Sequence, residues 1–329
     1  MSATARGRVA HARLQPSVGW LFVAPALAVI VAFFFVPVAA SVLLSFTDFD
    51  IYAVASRANL RVVGLGNYGQ LAHDGLFWTA VRNTLYFVVV AAPLSIAVSF
   101  GAALLLNAPL VRWKSAFRTA LFLPVVTTLV AVAVVWRYAF HPRIGLLNAL
   151  LAPLGVGPVD WLGDPRFAMP AIVLMTIWKN FGFNMIILIA GLQAIPATLY
   201  EAARVDGAGT IARFRYVTIP GLGPTLVFVT VMTLIGDLQL FAEPYVMTQG
   251  GPEHATLSVV LLMYLEGFRW WNMGYAAAIA FVLFAAMLVP GLAARTLQAR
   301  GGDRALAVRA SDARAATRAR WTREPETAS

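Results

Sequence analysis

The charged residues of this 329-residue chain leave long gaps, and the gaps decide what it can fold into. Arg13 and Asp48 enclose 34 uncharged residues, Arg82 and Arg112 enclose 29, Arg118 and Arg137 enclose 18, Arg215 and Asp237 enclose 21, and Arg269 and Arg295 enclose 25. A helix rises about 1.5 Å per residue, so about 20 mostly apolar residues cross a hydrocarbon core of about 30 Å. Each gap therefore predicts a membrane span. A further stretch, residues 180–200, is uncharged but is cut short by Pro196. A helix there must begin near Pro170 or Ala171 and carry Lys179 inside it. Only 12% of residues are charged, against about 25% in soluble domains.

The reading is an all-α integral membrane protein with six transmembrane helices at about 20–46, 77–106, 115–140, 170–193, 217–240 and 272–295. Residues 19–297 form the membrane domain, residues 1–18 an N-terminal tail, and residues 298–329 an Arg/Ala-rich tail too poor in large apolar residues to fold. The first apolar run exceeds the roughly 7–15 residues of a signal-peptide core, so the first helix is read as retained. Pro25, Pro37, Pro93, Pro124, Pro170 and Pro290 lie in or at the ends of the spans, where bundles tolerate kinks.

Six spans put both termini on one side. That side collects Arg6, Arg8, Arg13, Arg112, Lys114, Arg118, Arg204, Arg213, Arg215, Arg295 and the seven arginines of the tail, 17 cations in all, against seven on the other. Positively charged loops stay cytoplasmic, which places both termini in the cytoplasm and the protein in the plasma (inner) membrane. The net charge of +10 is thus mostly topology, and the tail is read as contacting lipid headgroups rather than nucleic acid.

Several chemistries are excluded. Neither lysine, Lys114 or Lys179, follows a glycine, so no GxxxxGK[ST] phosphate loop is present. The four histidines are scattered without metal-ligand spacing, there is no cysteine, and no GxSxG elbow occurs. The chain is expected to bind no metal or cofactor and to perform no covalent chemistry.

The cytoplasmic loop QAIPATLYEAARVDGAGTIARFRYVTIPGLGPTL, residues 193–226, is the most informative stretch. Thr198 followed by Glu201 is a capping-box pattern that starts a short helix. Gly207 and Gly209 sit where that helix ends. Thr210 is placed to cap a second short helix with Ile211, Phe214 and Val217 on one side, and Pro220 to open the fifth span. Such a loop suits either insertion into a groove on a soluble partner or a position flat on headgroups.

Polar residues also enter the bundle. Thr176, Lys179, Asn180 and Phe183 repeat at i, i+3, i+4 and i+7 on the fourth span, and Thr233, Asp237 and Leu240 do so on the fifth. Ionisable groups in a span cost about 2.5–3.5 kcal/mol on insertion scales, so they face protein or a wet cavity. Lys179 has three readings: it snorkels to the surface, it pairs with Asp237, or it lines a translocation path.

The loop resembles the EAA signature of permease subunits of binding-protein-dependent ABC importers, Glu-Ala-Ala, three residues, Gly, nine residues, Ile-x-Leu-Pro. Here Glu201-Ala202-Ala203 is followed after three residues by Gly207 and after nine more by Val217-Thr218-Ile219-Pro220, with apolar replacements at two positions. The segment 234–280, with Thr248-Gln249-Gly250-Gly251-Pro252 and Gly274-Tyr275-Ala276-Ala277-Ala278, is similar to the maltose-permease type of the carbohydrate branch. The resemblance implies the type I importer permease fold and a coupling helix, with Glu201, Ala202, Ala203, Asp206 and Gly207 docking into a separate ATPase dimer that carries ATP and Mg. It further implies a second, non-identical permease and an extracytoplasmic solute-binding protein as partners. Thr176, Lys179, Asn180, Phe183, Thr233 and Asp237 would line the path of a sugar or related polyol. The rival reading from the residues alone is a stand-alone, ion-coupled secondary transporter using Lys179 and Asp237; a membrane-embedded enzyme is disfavoured because no carboxylates or histidines cluster.

Overall fold

The structure is a computed structural model that describes residues 16–55 and 60–296. The N-terminal tail up to residue 15, Arg57 and the basic tail from residue 297 lie outside the described residues. Among the described residues five helices are long and apolar enough to cross a membrane, or six when one sharply bent pair counts as a single span.

The first span, α1 (Phe22–Leu44), is apolar all round and none of its hydrophobic window is buried. It contains a π turn at Val31–Phe35, and a second π turn occurs at Phe214–Thr218. Each lies just before a proline, Pro37 and Pro220. Proline has no N–H to donate and its ring crowds the carbonyl four residues back; a widened turn relieves both.

After a short helix, α2 (Gly66–His73), the chain enters α3 (Gly75–Asn107) through Asp74, whose carboxylate accepts the Leu76 N–H at 2.8 Å and caps the helix. Ala80, Thr84, Phe87, Ala91, Ser95, Ser99 and Ala103 are its buried stripe, recurring every three or four residues.

The third predicted span is not one helix. It is α4 (Lys114–Val126) and α5 (Leu129–Ala139), bent by 96°. Pro124 removes a ladder hydrogen bond near the end of α4, Thr127 and Thr128 adopt extended backbone, and Thr127 Oγ1 donates to the Pro124 carbonyl at 2.6 Å. An unbroken apolar run does not report such a bend.

The fourth span, α6 (Pro165–Ala194), starts earlier than the sequence reading placed it. Asp164 is its N-cap, accepting the Arg166 N–H at 2.9 Å, and Pro165 takes the first turn, where its missing donor costs nothing. Pro170 is internal. α6 is the most buried span and packs along α3 and α4. Gly182 lies directly against the backbone carbonyl of Leu121, and Ser99 Oγ donates to the Phe181 carbonyl at 3.0 Å.

The loop helix α7 (Ala197–Val205) leads to a helical turn at Thr210–Arg213, the second π turn, and α8 (Ile219–Leu238) without interruption. The fifth span thus begins in the loop rather than at residue 217. Beyond it come α9 (Ala242–Met247), α10 (Val259–Tyr264) and the last span, α11 (Met273–Thr296).

α6 feeds two apolar clusters. Met169, Ile172 and Met175 pack with Phe87, Val132 and Phe140, while Met185, Leu188 and Leu192 pack with Leu106, Leu222 and Val229. The polar segment 176–184 lies between them.

Candidate solute cavity and coupling loop

That segment faces a cavity of about 480 Å³ walled by α3, α6, α8, the α4–α5 bend and the start of α9. Thr176, Asn180 and Phe183 line it from α6, Thr233, Asp237 and Leu240 from α8 and just beyond it. Five of the six substrate-path residues named from the sequence therefore share one cavity. Asn184 donates from α6 to Thr233 Oγ1 at 3.0 Å, fixing the two helices on either side.

Lys179 is buried but is not among the lining residues. At about 100° per residue, the lining face of α6 centres on Thr176, Ile177, Asn180 and Asn184, and Lys179 falls to one side of it. No ion pair joins it to Asp237 or to Glu243, a buried residue of α9, among the described residues, although it lies near enough to Glu243 to act on it electrostatically. The sequence reading had no place for Glu243, because it ended the fifth span at residue 240.

Three side-chain atoms on this wall are buried without a hydrogen-bond partner: Ser95 Oγ, Thr176 Oγ1 and Asp237 Oδ2. Buried polar groups are nearly always paired, so three orphans around one void mark a place where polar groups are met by something other than this chain. Ser95 was legible only as the Ser95/Ser99 pair, four residues apart on one face of α3.

At the far end of α6, the capping box does not form. α7 begins at Ala197 directly after Pro196, and no side chain caps it. Thr198 is already inside the first turn, where its backbone is helical and its hydroxyl cannot reach back. The C-terminal end is built as the glycine predicts. Gly207 sits at φ +75°, its N–H donates to the Arg204 carbonyl at 3.1 Å, and the Ala208 N–H donates to the Ala203 carbonyl at 2.8 Å. Gly209 takes an ordinary negative φ instead, and Thr210 is the first residue of the next turn rather than its cap.

Glu201, Ala202, Asp206 and Gly207 are exposed and Ala203 is half-buried. Val205 and Ile211, 88% and 83% exposed, stand beside them as large apolar groups with no cover from this chain. Two contacts hold the loop to the bundle: the Tyr200 hydroxyl meets Thr218 Oγ1 at 3.0 Å, and Phe214 stacks on Phe100 with ring centroids 6.0 Å apart. Ile211 and Phe214 therefore do not share one environment: Ile211 is open and Phe214 is packed on Phe100.

Residues 95–300 match the family described as binding-protein-dependent transport system inner membrane component. The chain is 39% identical over 270 residues to the lactose transport system permease protein LacF of Rhizobium radiobacter, covering 80% of this chain and 88% of that one. It is 34% identical over 277 residues to the trehalose/maltose transport system permease protein MalF of Thermococcus litoralis, covering 83% and 91%. It is also 34% identical over 266 residues to the sulfoquinovosyl glycerol transport system permease protein SmoG of Agrobacterium fabrum, covering 80% and 85%. Among solved structures, a chain of a bacterial alginate ABC transporter in complex with its alginate-bound periplasmic protein superposes with a TM-score of 0.74 at 22% identity, over 86% of this chain and 94% of that chain. The bent third span, the exposed loop and the polar cavity thus sit on a fold shared with a known importer, and the chain belongs to the inner membrane components of binding-protein-dependent transport systems, as a multi-pass permease subunit.

Proposed function

We propose that this permease carries a saccharide or related polyol through the cavity between α3, α6 and α8. The observation that carries the reading is the set of unpartnered polar atoms, Ser95 Oγ, Thr176 Oγ1 and Asp237 Oδ2, on one wall of that cavity. A polyhydroxylated solute supplies donors and acceptors to such a wall, and the half-exposed Phe183 ring offers an apolar face for a sugar's C–H surface. Relatives named for lactose, trehalose/maltose and arabinooligosaccharides support the solute class.

Both termini and α7 are cytoplasmic in this reading, following the distribution of Arg and Lys. α7 docks into a cleft of a separate ATPase dimer through Glu201, Ala202, Ala203, Asp206 and Gly207, with Val205 and Ile211 as the apolar contacts. ATP and Mg are bound there and not by this chain. An extracytoplasmic binding protein delivers solute at the other face, and a second, non-identical permease completes the path. Because the helix runs from Thr210 through to α8, a push on the loop is transmitted along one continuous rod to Thr233 and Asp237.

The test uses the assembled complex in proteoliposomes. A203C, placed in a chain with no cysteine of its own, is expected to crosslink to a nucleotide-hydrolysing subunit, and E201K to leave ATP hydrolysis running without uptake. Uptake by the purified chain alone under an ion gradient would instead favour the secondary-transporter reading.

A further inference from the structure

The ionisable residues lining the cavity are both acids, Asp237 and Glu243. They are 8% and 7% exposed. They lie near enough to act on one another electrostatically, and Lys179, behind the wall, acts on Glu243. No Lys or Arg joins the two acids among the residues that line the cavity. Asp237 has no ion pair among the described residues, and its Oδ2 is buried without a hydrogen-bond partner. The cavity wall therefore bears two acidic side chains and no basic one, in a bilayer-depth setting where water screens little.

We propose that this wall is a charge filter: the cavity admits neutral or amino-bearing saccharides and turns away acidic ones, with Asp237 as the discriminating residue and Lys179 setting the balance at Glu243. This rests on the reading of the cavity as the solute path. Hydroxyls of a neutral sugar donate to the free Asp237 oxygen, and a protonated amine gains charge-assisted hydrogen bonds there. A carboxylate or sulfonate brought within about 6 Å of ionised Asp237 meets a like charge with no basic side chain on the wall, a penalty on the order of tenfold to a hundredfold in occupancy.

The absence of cysteine permits a direct reading of the potential. F183C places a single thiol on the cavity wall of the assembled complex in membranes. At about pH 8 it is treated with a methanethiosulfonate bearing either trimethylammonium or sulfonate, and modification of the peptide spanning position 183 is followed by mass spectrometry. Each rate is normalised to that of a free thiol in solution. The cationic reagent is expected to react at least about tenfold faster than the anionic one. D237N should bring the ratio close to one, and K179M should raise it. A ratio near one or below in F183C, or one that D237N leaves unchanged, overturns the proposal. M232C, at another exposed lining position, repeats the measurement should F183C fail to assemble. Because the readout needs no transport, it stands or falls separately from uptake and crosslinking.

Discussion

Tyr275, buried near the start of α11, donates a 2.6 Å hydrogen bond to Asp74 Oδ2, while the other oxygen of that carboxylate caps α3. One side chain thus ties together two spans 201 residues apart in sequence. A hydrogen bond to a charged group contributes about 1.5–3 kcal/mol. Y275F should lower the thermal midpoint in detergent by that loss alone. D74A should lower it further, through the loss of about another 1 kcal/mol of stability, because the cap goes too. Equal midpoints for the two variants would show that the cap contributes nothing.

Asn184 and Thr233 span the cavity wall through one side-chain hydrogen bond of 3.0 Å. Within membrane bundles such bonds average about 0.6 kcal/mol and reach about 1.7. N184A, T233V and the double variant should show a coupling energy in that range in a denaturation cycle. Additive effects would mean that the pair does not hold α6 to α8.

Gly182 leaves no space for a Cβ against the Leu121 carbonyl. G182A should force α4 away from α6, reduce the yield of folded protein and cost more than Gly→Ala in an open helix, where it stabilises by about 0.5–1 kcal/mol. Gly101 on α3, with open space at its Cβ position, is the control: G101A should be neutral or stabilising by thermal unfolding.

Asp48 and Arg61 stand next to an isolated antiparallel bridge between Thr47 and Val62. The Arg61 backbone N–H, donating at 2.7 Å, and then its side chain hold the Asp48 carboxyl below its ordinary range. A carboxyl depressed on folding adds stability that is complete above its unfolded value of about 3.9 and is lost as pH falls through the lower folded value. Hydrogen-exchange protection of the Arg61 amide should therefore be flat from neutral pH down to about 4 and fall below it. In D48N the fall should be absent and protection low throughout.

The membrane domain was readable because the bilayer imposes a length and a lack of charge on each span, and both are one-dimensional properties. The same logic exposed Thr176, Asn180, Phe183, Thr233 and Asp237, since polar residues inside apolar runs are costly and helical spacing says which share a face. It failed at Lys179, where four residues fit one stripe but the cavity faces a stripe rotated toward Ile177 and Asn184. A helix's own periodicity does not say which way the stripe points.

Likewise the EAA loop announced a short helix and its glycine end, but not its beginning. Pro196 moved the start to Ala197, and a hydroxyl inside a helical turn cannot cap it. The 96° bend after Val126 and the place of Lys179 outside the cavity lining, with Glu243 inside it, were invisible for a common reason. They depend on which segments meet across the bundle.

Chain length between charges and proline positions were enough to settle that this is a helical membrane protein with an exposed loop, because those features act locally or against a uniform solvent; that it is a permease came from the likeness of Glu201, Ala202, Ala203 and Gly207 to the EAA signature. Which polar atoms face one void, and which acids line it, was decided only by the packing of α3, α6, α8 and α9. Burial and electrostatics there depend on distances between residues far apart in the chain, and those distances exist only once the helices are in contact.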